Sequence, residues 1–475
     1  SKDSGGNIIS YEYDCLGRLI KTWQNCNPTA TMVLMEYDTH GNRTKLVDPS
    51  AGTVLTQYDP YNNIVTWKDS KLTNPIIYNY DILDRKIKVI EPEGVTSWTY
   101  DTRPNGLGLL SEVSSVNSNE KYFYDSFGKV TQVIKLVSGV EYKNSYLYDS
   151  YGRKIKDEYS TGLTLLTEYN KYGSPCLIYK GGFQPSVIWQ SSASDGYGRL
   201  TKSKLGNQLT REEVYDENRD LLLSQNLKNL QTSYSIKFEY SWSNIGNLNY
   251  RRKIENGTTH TESFIYDNLS RLTSCSLSTS NGSKVTQTIG YDNFGNINNK
   301  VLNEGVILEN GMYGENGNSP YALTSAEIDI NQWPQSPQSV TYNSYNKVTS
   351  ILEGDNQLNL LYGYDHQRVS QELKKNNVVI RKKSFIGSGI EVIEYPQVGK
   401  SERIHYLFDG SGSLFAAYII NESNVGKMYY IFADHLGSPA VISDAEGNFI
   451  QQLSYDAWGN RRDPLTWESL SSNTT

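Results

Sequence analysis

The chain has 475 residues, of which 37% are hydrophobic and 20% charged, and its net charge is −7. That charge, with no basic run longer than Arg251–Lys253, argues against a nucleic-acid binder, and no apolar stretch reaches the roughly eighteen residues of a membrane span. The 37 tyrosines and 38 glycines instead predict an all-β protein, because tyrosine suits half-buried pleated surfaces and glycine supplies turns.

One motif recurs along the chain, with the pattern Tyr-Asp-x-aromatic or aliphatic-Gly-Arg or Asn. Its period of about 20 to 26 residues is typical of repeat arrays. In chain order the copies open at Tyr13, Tyr37, Tyr58, Tyr80, Tyr124, Tyr148, Tyr169, Trp242, Tyr266, Tyr291, Tyr342 and Tyr455.

Each position of the motif predicts a part of a hairpin turn. The aspartate can accept hydrogen bonds from the amides just ahead of it, and the glycine supplies the positive φ that a bulged hairpin loop needs. Asn62, Asp84 and Asn346 replace the glycine with residues that tolerate this conformation, whereas Ser270 and Pro104 predict locally different turns. The turn residues assigned in this way are Tyr13, Asp14, Gly17, Tyr37, Asp38, Gly41, Tyr124, Asp125, Gly128, Tyr148, Asp149, Gly152, Tyr291, Asp292, Gly295, Tyr455, Asp456 and Gly459.

About twenty periods of two strands each predict about forty strands, paired edge to edge as one antiparallel hairpin ribbon. At about 4.8 Å per strand the ribbon is on the order of 190 Å long. Because sheets twist, such a ribbon must spiral into a hollow, complete or incomplete shell or fold back on itself as a sandwich. The number and spacing of the strands are compatible with both the shell and the sandwich.

The repeats resemble the YD repeats of RHS-repeat proteins, the shell regions of bacterial polymorphic toxins. Tyr362–Val369 is similar to a unit in the C component of insecticidal ABC toxin complexes. A second stretch closely resembles the segment that ends the core of the family, and we call it the core-ending segment: Asp434, His435, Leu436, Gly437, Ser438 and Pro439.

The resemblance implies a β-ribbon that spirals into a cocoon around a C-terminal toxin domain, which is missing here. A plug or a delivery-complex subunit is a further expected partner. Family members often cleave themselves near an Asp-Pro-x-Gly-Leu motif, but here Asp463 and Pro464 are followed by Leu-Thr-Trp. The resemblance therefore extends to the shell and not to the protease.

The repeats weaken at residues 181–235 and again at 300–340, where glycines and prolines accumulate. The predicted organisation is a YD ribbon over 1–300, an insertion or crossover over 301–340, RHS repeats with the core-ending segment over 341–463, and a tail over 464–475. The first six residues show no signal-peptide pattern, which predicts a fragment or a processed product of a secreted or cell-surface bacterial protein.

No catalytic constellation is evident in the sequence. The aspartates share one turn position, and the five histidines form no ligand pair; His435 is the best functional candidate, although a structural role is expected. Cys15 and Cys26 are the only plausible disulfide, and we expect no cofactor or metal. The leading hypothesis is a non-enzymatic scaffold that forms the wall of a cocoon around a toxin. The alternative is an extracellular glycan-binding or adhesion module that uses exposed aromatic side chains.

Overall fold

The computed structural model describes residues 1–468 apart from 26, 230, 232–233, 280–281, 283, 304, 316–318, 329–336 and 388. The described chain forms an all-β fold, with 41 strands and one four-residue helix, α1 (Pro28–Thr31). The strand number agrees with the forty or so expected from the repeat count.

Twenty-eight strands form one antiparallel sheet, here called the first ribbon. They are β1 (Ile9–Tyr13), β2 (Leu19–Gln24), β3 (Val33–Tyr37), β4 (Arg43–Asp48), β5 (Gly52–Tyr58), β6 (Ile64–Lys68), β7 (Ile76–Tyr80), β8 (Lys86–Glu91), β9 (Gly94–Tyr100), β10 (Leu110–Ser114), β11 (Ser118–Tyr124), β12 (Val130–Val137), β13 (Val140–Tyr148) and β14 (Lys154–Tyr159). The sheet continues with β15 (Leu163–Tyr169), β16 (Pro175–Lys180), β17 (Ser186–Ser194), β18 (Leu200–Leu205), β19 (Leu209–Tyr215), β20 (Leu222–Asn229), β21 (Ser235–Trp242), β22 (Leu248–Glu255), β23 (Thr258–Tyr266), β24 (Leu272–Thr279), β25 (Lys284–Tyr291), β26 (Ile297–Leu302), β27 (Gly305–Tyr313) and β28 (Leu323–Ile328).

Eleven further strands form the second ribbon, and a short hairpin follows it. The second ribbon contains β29 (Gln338–Tyr342), β30 (Val348–Glu353), β31 (Asn356–Tyr362), β32 (Arg368–Lys375), β33 (Val378–Gly387), β34 (Ile390–Tyr395), β35 (Lys400–Phe408), β36 (Leu414–Asn421), β37 (Gly426–Ala433), β38 (Pro439–Ser443) and β39 (Phe449–Gln452). The hairpin pairs β40 (Ser454–Tyr455) with β41 (Arg461–Arg462).

Strand order follows chain order throughout both ribbons, because each strand pairs with its neighbours in sequence. Neither ribbon closes on itself. In the hairpins that the motif closes, the register shifts at the motif tyrosine: Glu12 pairs with Lys21, but Tyr13 pairs with Leu19. The extra residue on one strand is a β-bulge, which strengthens the local twist and makes the ribbon curl.

Strand pairing continues through much of the two stretches, 181–235 and 300–340, in which the repeats weaken. Strands β17–β20 keep the pairing intact across residues 181–235, and β27 and β28 continue it as far as Ile328. Residues 329–336 of the predicted insertion lie outside the described residues, so the domain boundaries stay a prediction. Cys26 also lies outside them, while Cys15, Cys176 and Cys275 are free thiols.

The core is concentrated where the second ribbon packs across the first. The largest buried cluster joins the two sheets, with the rings of Trp189 and Phe415 centred 6.3 Å apart and those of Phe238 and Phe432 centred 5.9 Å apart. A second cluster joins Tyr142 of the first ribbon to β32–β34. We call this whole contact surface, together with residues 453–468, the seam.

The surface area shows how open the molecule is. It amounts to 26,432 Å², whereas a compact monomer of 53.7 kDa exposes about 18,000 Å². The chain therefore exposes far more surface than a filled globule of the same mass, as expected for an open wall.

Candidate functional site: the turn ladder and the seam

The motif aspartates organise their turns through their side chains. In the turn between β11 and β12, Asp125 Oδ1 accepts hydrogen bonds from the amides of Phe127 and Lys129, both at 2.9 Å. The Gly128 amide donates to the Asp125 carbonyl at 3.1 Å, and Gly128 has φ of 74°. The carboxylate thus satisfies amides that the β-bulge leaves without a strand partner.

The other assigned turns have the same geometry. Their aspartates accept from the amides two and four residues ahead, and the backbone hydrogen bonds to Arg18 lower the pKa of Asp14 below its usual value. Further aspartates with this pattern are Asp38, Asp149, Asp292 and Asp456. Positive φ is found at Gly17, Gly41, Gly152, Gly295 and Gly459.

Of the two turns predicted to differ from the motif, the turn at Ser270 does not differ and the turn at Pro104 does. Ser270 has φ of 60° and donates its amide to the Asp267 carbonyl, as glycine does elsewhere, so its turn is the ordinary one. The two amide hydrogen bonds to Asp267 Oδ1 offset the cost of the left-handed conformation for serine. Pro104 does lie in a different, longer loop, closed by a hydrogen bond from the Asp101 amide to Leu109.

The motif tyrosines connect each turn to the hairpin before it. The Tyr148 hydroxyl donates to the Val130 carbonyl at 2.8 Å, and the same bond recurs from Tyr37 and Tyr291. Trp242 makes it with its indole N–H, at 2.8 Å to the Leu222 carbonyl, which explains why tryptophan can occupy the tyrosine position. The sequence predicts aromatic packing here but does not reveal this hydrogen bond.

The arginine or asparagine that follows the glycine continues the connection in the other direction. Arg153 Nε donates to Asp149 Oδ2 at 2.7 Å, and its guanidinium lies 4.6 Å from the centre of the Tyr169 ring in the next repeat. Asn42 Nδ2 similarly reaches both Asp38 and, at 2.8 Å, Asn62 of the next turn. Hydrogen bonds and cation–π contacts therefore form a ladder along one rim of the ribbon.

The residue just before the glycine points into solvent at many turns. In four consecutive turns this residue is aromatic and 77–87% exposed: Phe127, Tyr151, Tyr172 and Tyr197. Adjacent turns are two strands apart, so the rings recur about every 10 Å along the rim. We call these four side chains the tip row.

Polar contacts close the seam at several points. Tyr345 donates to Glu91 Oε1 at 2.7 Å, Asn117 donates to the Tyr362 carbonyl at 2.9 Å, and Asn207 donates to Ser443 Oγ at 2.9 Å. Each bond joins residues more than 200 positions apart in the sequence, which is why the motif alone could not predict it.

The core-ending segment forms one more motif turn, pressed against the first ribbon. Asp434 Oδ1 accepts from the amides of Leu436 and Ser438, and Gly437 has φ of 82°, while Pro439 begins β38. The His435 ring is centred 4.4 Å from that of Tyr240 on β21. Burial lowers the pKa of His435 to about 4, so the ring is neutral at pH 7 and packs in the seam.

Residues 453–468 bring together a buried charge cluster that the sequence did not reveal. Glu262 Oε2 lies 2.7 Å from Arg251 Nη2 and 3.0 Å from Arg462 Nη2. The Arg462 guanidinium lies 3.9 Å from the centre of the Trp467 ring, whose other neighbour is the stacked ring of His260 at 5.3 Å. Trp467 is only 4% exposed, so the start of the expected tail is part of the packed wall.

The described residues contain neither a metal-binding cluster nor a membrane-spanning helix. No three His, Cys, Asp or Glu side chains there lie close enough together to share a metal ion. The single described helix has four residues, and no described helix is long and apolar enough to cross a membrane.

The family comparison matches these repeats. The Teneurin YD-shell model matches residues 3–164 and 334–462, more than half of the chain. The chain belongs to the YD-shell family. The repeats and the ladder described above are thus those of a YD shell, as the RHS-repeat resemblance led us to expect.

Solved structures share this YD-shell fold across almost the whole chain. TcdB2-TccC3 without its hypervariable C-terminal region matches with a TM-score of 0.82 and 15% identity over 99% of this chain, and TcdB2-TccC3 matches with 0.77 and 14% over 98%. The Photorhabdus luminescens Tc holotoxin pore matches with 0.63 and 13% over 95%. This chain spans 27% of each of those chains, and at such identity the likeness concerns the fold alone.

One curated protein is related in sequence. The tRNA nuclease WapA of Bacillus subtilis (strain 168) is 27% identical over 133 residues, which are 26% of this YD-shell chain and 6% of that protein. The match covers too little of either protein to transfer an activity.

Proposed function

We propose that this chain is a stretch of the wall of a secreted bacterial toxin shell, and that the shell encloses a C-terminal toxin or effector. The observation that carries the proposal is the open, curved ribbon, whose surface of 26,432 Å² far exceeds that of a filled globule. A wall with solvent on both faces has an inner face that can surround another polypeptide. The wall is a scaffold in this proposal and performs no chemistry itself.

The test places one reporter polypeptide at either end of the chain. A protease-sensitive reporter fused after Thr475 should be digested more slowly than the same reporter fused before Ser1, because residues 453–468 are anchored inside the seam. Equal digestion of the two fusions, with the wall itself intact, would contradict enclosure.

A delivery-complex subunit or a plug is the second proposed partner, and the tip row supports it. Its four large aromatic side chains, each 77–87% exposed, are the surface that we propose this partner contacts. Tyr151→Ser together with Tyr197→Ser should keep the chain folded and weaken assembly with the partner. It should cost only about 1–2 kcal/mol, for the Tyr197 hydrogen bond to the Glu217 carbonyl and the cation–π contacts of the two rings with Arg153 and Arg199. Unchanged assembly would remove the tip row from this proposal.

The tip row also keeps the glycan-binding alternative open, since exposed aromatic rings can stack on sugar rings. A glycan array distinguishes the two functions. Binding that disappears in the Tyr151→Ser, Tyr197→Ser variant would favour an adhesion module, whereas no binding by the parent chain leaves the shell proposal ahead.

A further inference from the structure

Two histidines lie where the second ribbon covers the first. His405 on β35 is 1% exposed, and its ring is centred 5.5 Å from that of Tyr159 on β14. His435 follows β37 and packs on Tyr240 of β21 in the same manner, at 4.4 Å. Each imidazole therefore packs where the two sheets meet, His405 fully buried and His435 half-buried.

The ring nitrogens of the two histidines have few hydrogen-bond partners. Among the described residues, neither ring nitrogen of His405 has a partner in good hydrogen-bond geometry, although the Thr161 backbone lies close enough to favour the protonated ring. Nδ1 of His435 has no partner in hydrogen-bond geometry either. A protonated imidazole carries two N–H donors and a positive charge. Protonation would therefore leave an unpaired donor and a charge inside the seam, which is strongly unfavourable.

The charged groups around His405 already have other partners. Lys154 and Asp157 on β14 and Asp409 after β35 line the same cavity, of about 280 Å³. Asp157 Oδ1 is 2.7 Å from Lys154 Nζ, and Asp409 Oδ1 accepts hydrogen bonds from the amides of Ser411 and Ser413. Burial lowers the pKa of His405 to about 4; Arg403 acts in the same direction, and the Thr161 backbone opposes it.

The surroundings of His435 are similar. Asp434 in its own turn favours the protonated ring, but that carboxylate already accepts two backbone amides. Arg251 of β22 acts against protonation, and Arg462 lines the same small cavity together with the Tyr455 and Tyr240 rings. The balance is set by burial, which holds the ring neutral.

We propose that the seam is an acid-sensitive closure, in which protonation of His405 and His435 separates the second ribbon from the first. Proton linkage gives the direction of the pH dependence. An exposed histidine has a pKa of about 6.5, and the histidines of the closed seam have lower pKa values, so below pH 6.5 the closed seam binds fewer protons than the open one. Closure is fully stabilised above about pH 6.5 and is lost as the pH falls toward 4. The device operates whether or not the wall encloses a cargo.

Amide hydrogen exchange of the full chain, corrected for its intrinsic pH dependence, tests this directly. In the parent chain, exchange in β14, β21 and β35–β38 should accelerate below pH 6.5 by up to about tenfold per pH unit for each histidine. The variant H405Q/H435Q should keep these strands protected to about pH 4. The matched control His40→Gln changes an exposed histidine at a turn tip and should behave as the parent.

The same pH profile in the parent and in H405Q/H435Q would overturn the proposal and assign any opening to carboxylates. Such an opening would occur in a lower pH range for a turn carboxylate such as Asp216, whose pKa is lowered to about 2 by the hydrogen bond from the Arg219 side chain. If the double variant does not fold, NMR of the parent chain with labelled histidine measures the titration of the two rings and tests the proposal instead. Titration of both rings near pH 6.5 with the seam still closed would equally overturn the proposal.

Discussion

The buried cluster under residues 453–468 makes the sharpest energetic prediction, because two guanidiniums share one contacting carboxylate. Glu262 is the one carboxylate between two guanidiniums, those of Arg251 and Arg462. Glu262→Gln leaves two buried cations facing each other, whereas Arg462→Met leaves a matched pair and keeps most of the apolar stem against Trp467. The two substitutions should therefore differ greatly in cost.

The burial of the side chains sets the free-energy cost of each substitution. Arg462 and Glu262 side chains are 6% and 4% exposed, so removing the shared carboxylate should cost about 3–5 kcal/mol of local stability. Arg462→Met loses one ion pair, the hydrogen bond from Nε to Ser454 Oγ and the cation–π contact, which together should cost about 2 kcal/mol. The double variant should be more stable than Glu262→Gln alone, because the second change removes one unpaired cation.

Hydrogen exchange of β22, β23 and residues 453–468 in a urea series measures all three variants. A matched control is Lys45→Met, which removes an exposed ion pair with Glu36 and should cost less than about 1 kcal/mol. Arg462→Met costing as much as Glu262→Gln, or a double variant worse than both, would refute the charge-counting argument.

Three further predictions concern the turns and the surface charge. Gly128→Val should lower stability by about 1–2 kcal/mol, because valine is strained at φ of 74°, whereas Gly196→Ala, without positive φ, should be nearly neutral in the same denaturation assay. Tyr148→Phe should cost about 1 kcal/mol through loss of the hydrogen bond to Val130, while Tyr151→Phe should cost nothing measurable; equal costs would contradict the ladder. With a net charge of −7, the chain should not retard duplex DNA in a gel shift at physiological salt.

Local features of this fold were predictable because they are repeated in sequence. The Tyr-Asp-x-x-Gly pattern contains the turn, the bulge and the strand alternation, so it predicted the all-β ribbon and about forty strands. Ser270 shows the limit of this reasoning: the side chain at that position disfavours positive φ, yet two hydrogen bonds to Asp267 impose it. The shared hydrogen bonds of a turn outweigh the preference of one residue.

Long-range features were not predictable from the repeats. The cluster of Arg251, Glu262, Arg462 and Trp467 joins residues about two hundred positions apart, and nothing in the spacing of the motif connects them. The tyrosine hydroxyl bonds were missed for a different reason, since tyrosine is also common in strands for its ring alone. Its recurrence where phenylalanine would pack equally well was the available signal.

Small-angle X-ray scattering of the isolated chain tests the central claim that it is an open wall. A compact monomer of 475 residues has a radius of gyration near 23 Å. The open ribbon predicts a clearly larger value, with interatomic distances shifted toward the long end, at neutral pH. A value near about 23 Å would mean that the ribbons collapse into a filled sandwich with no room for a cargo, and would contradict the account.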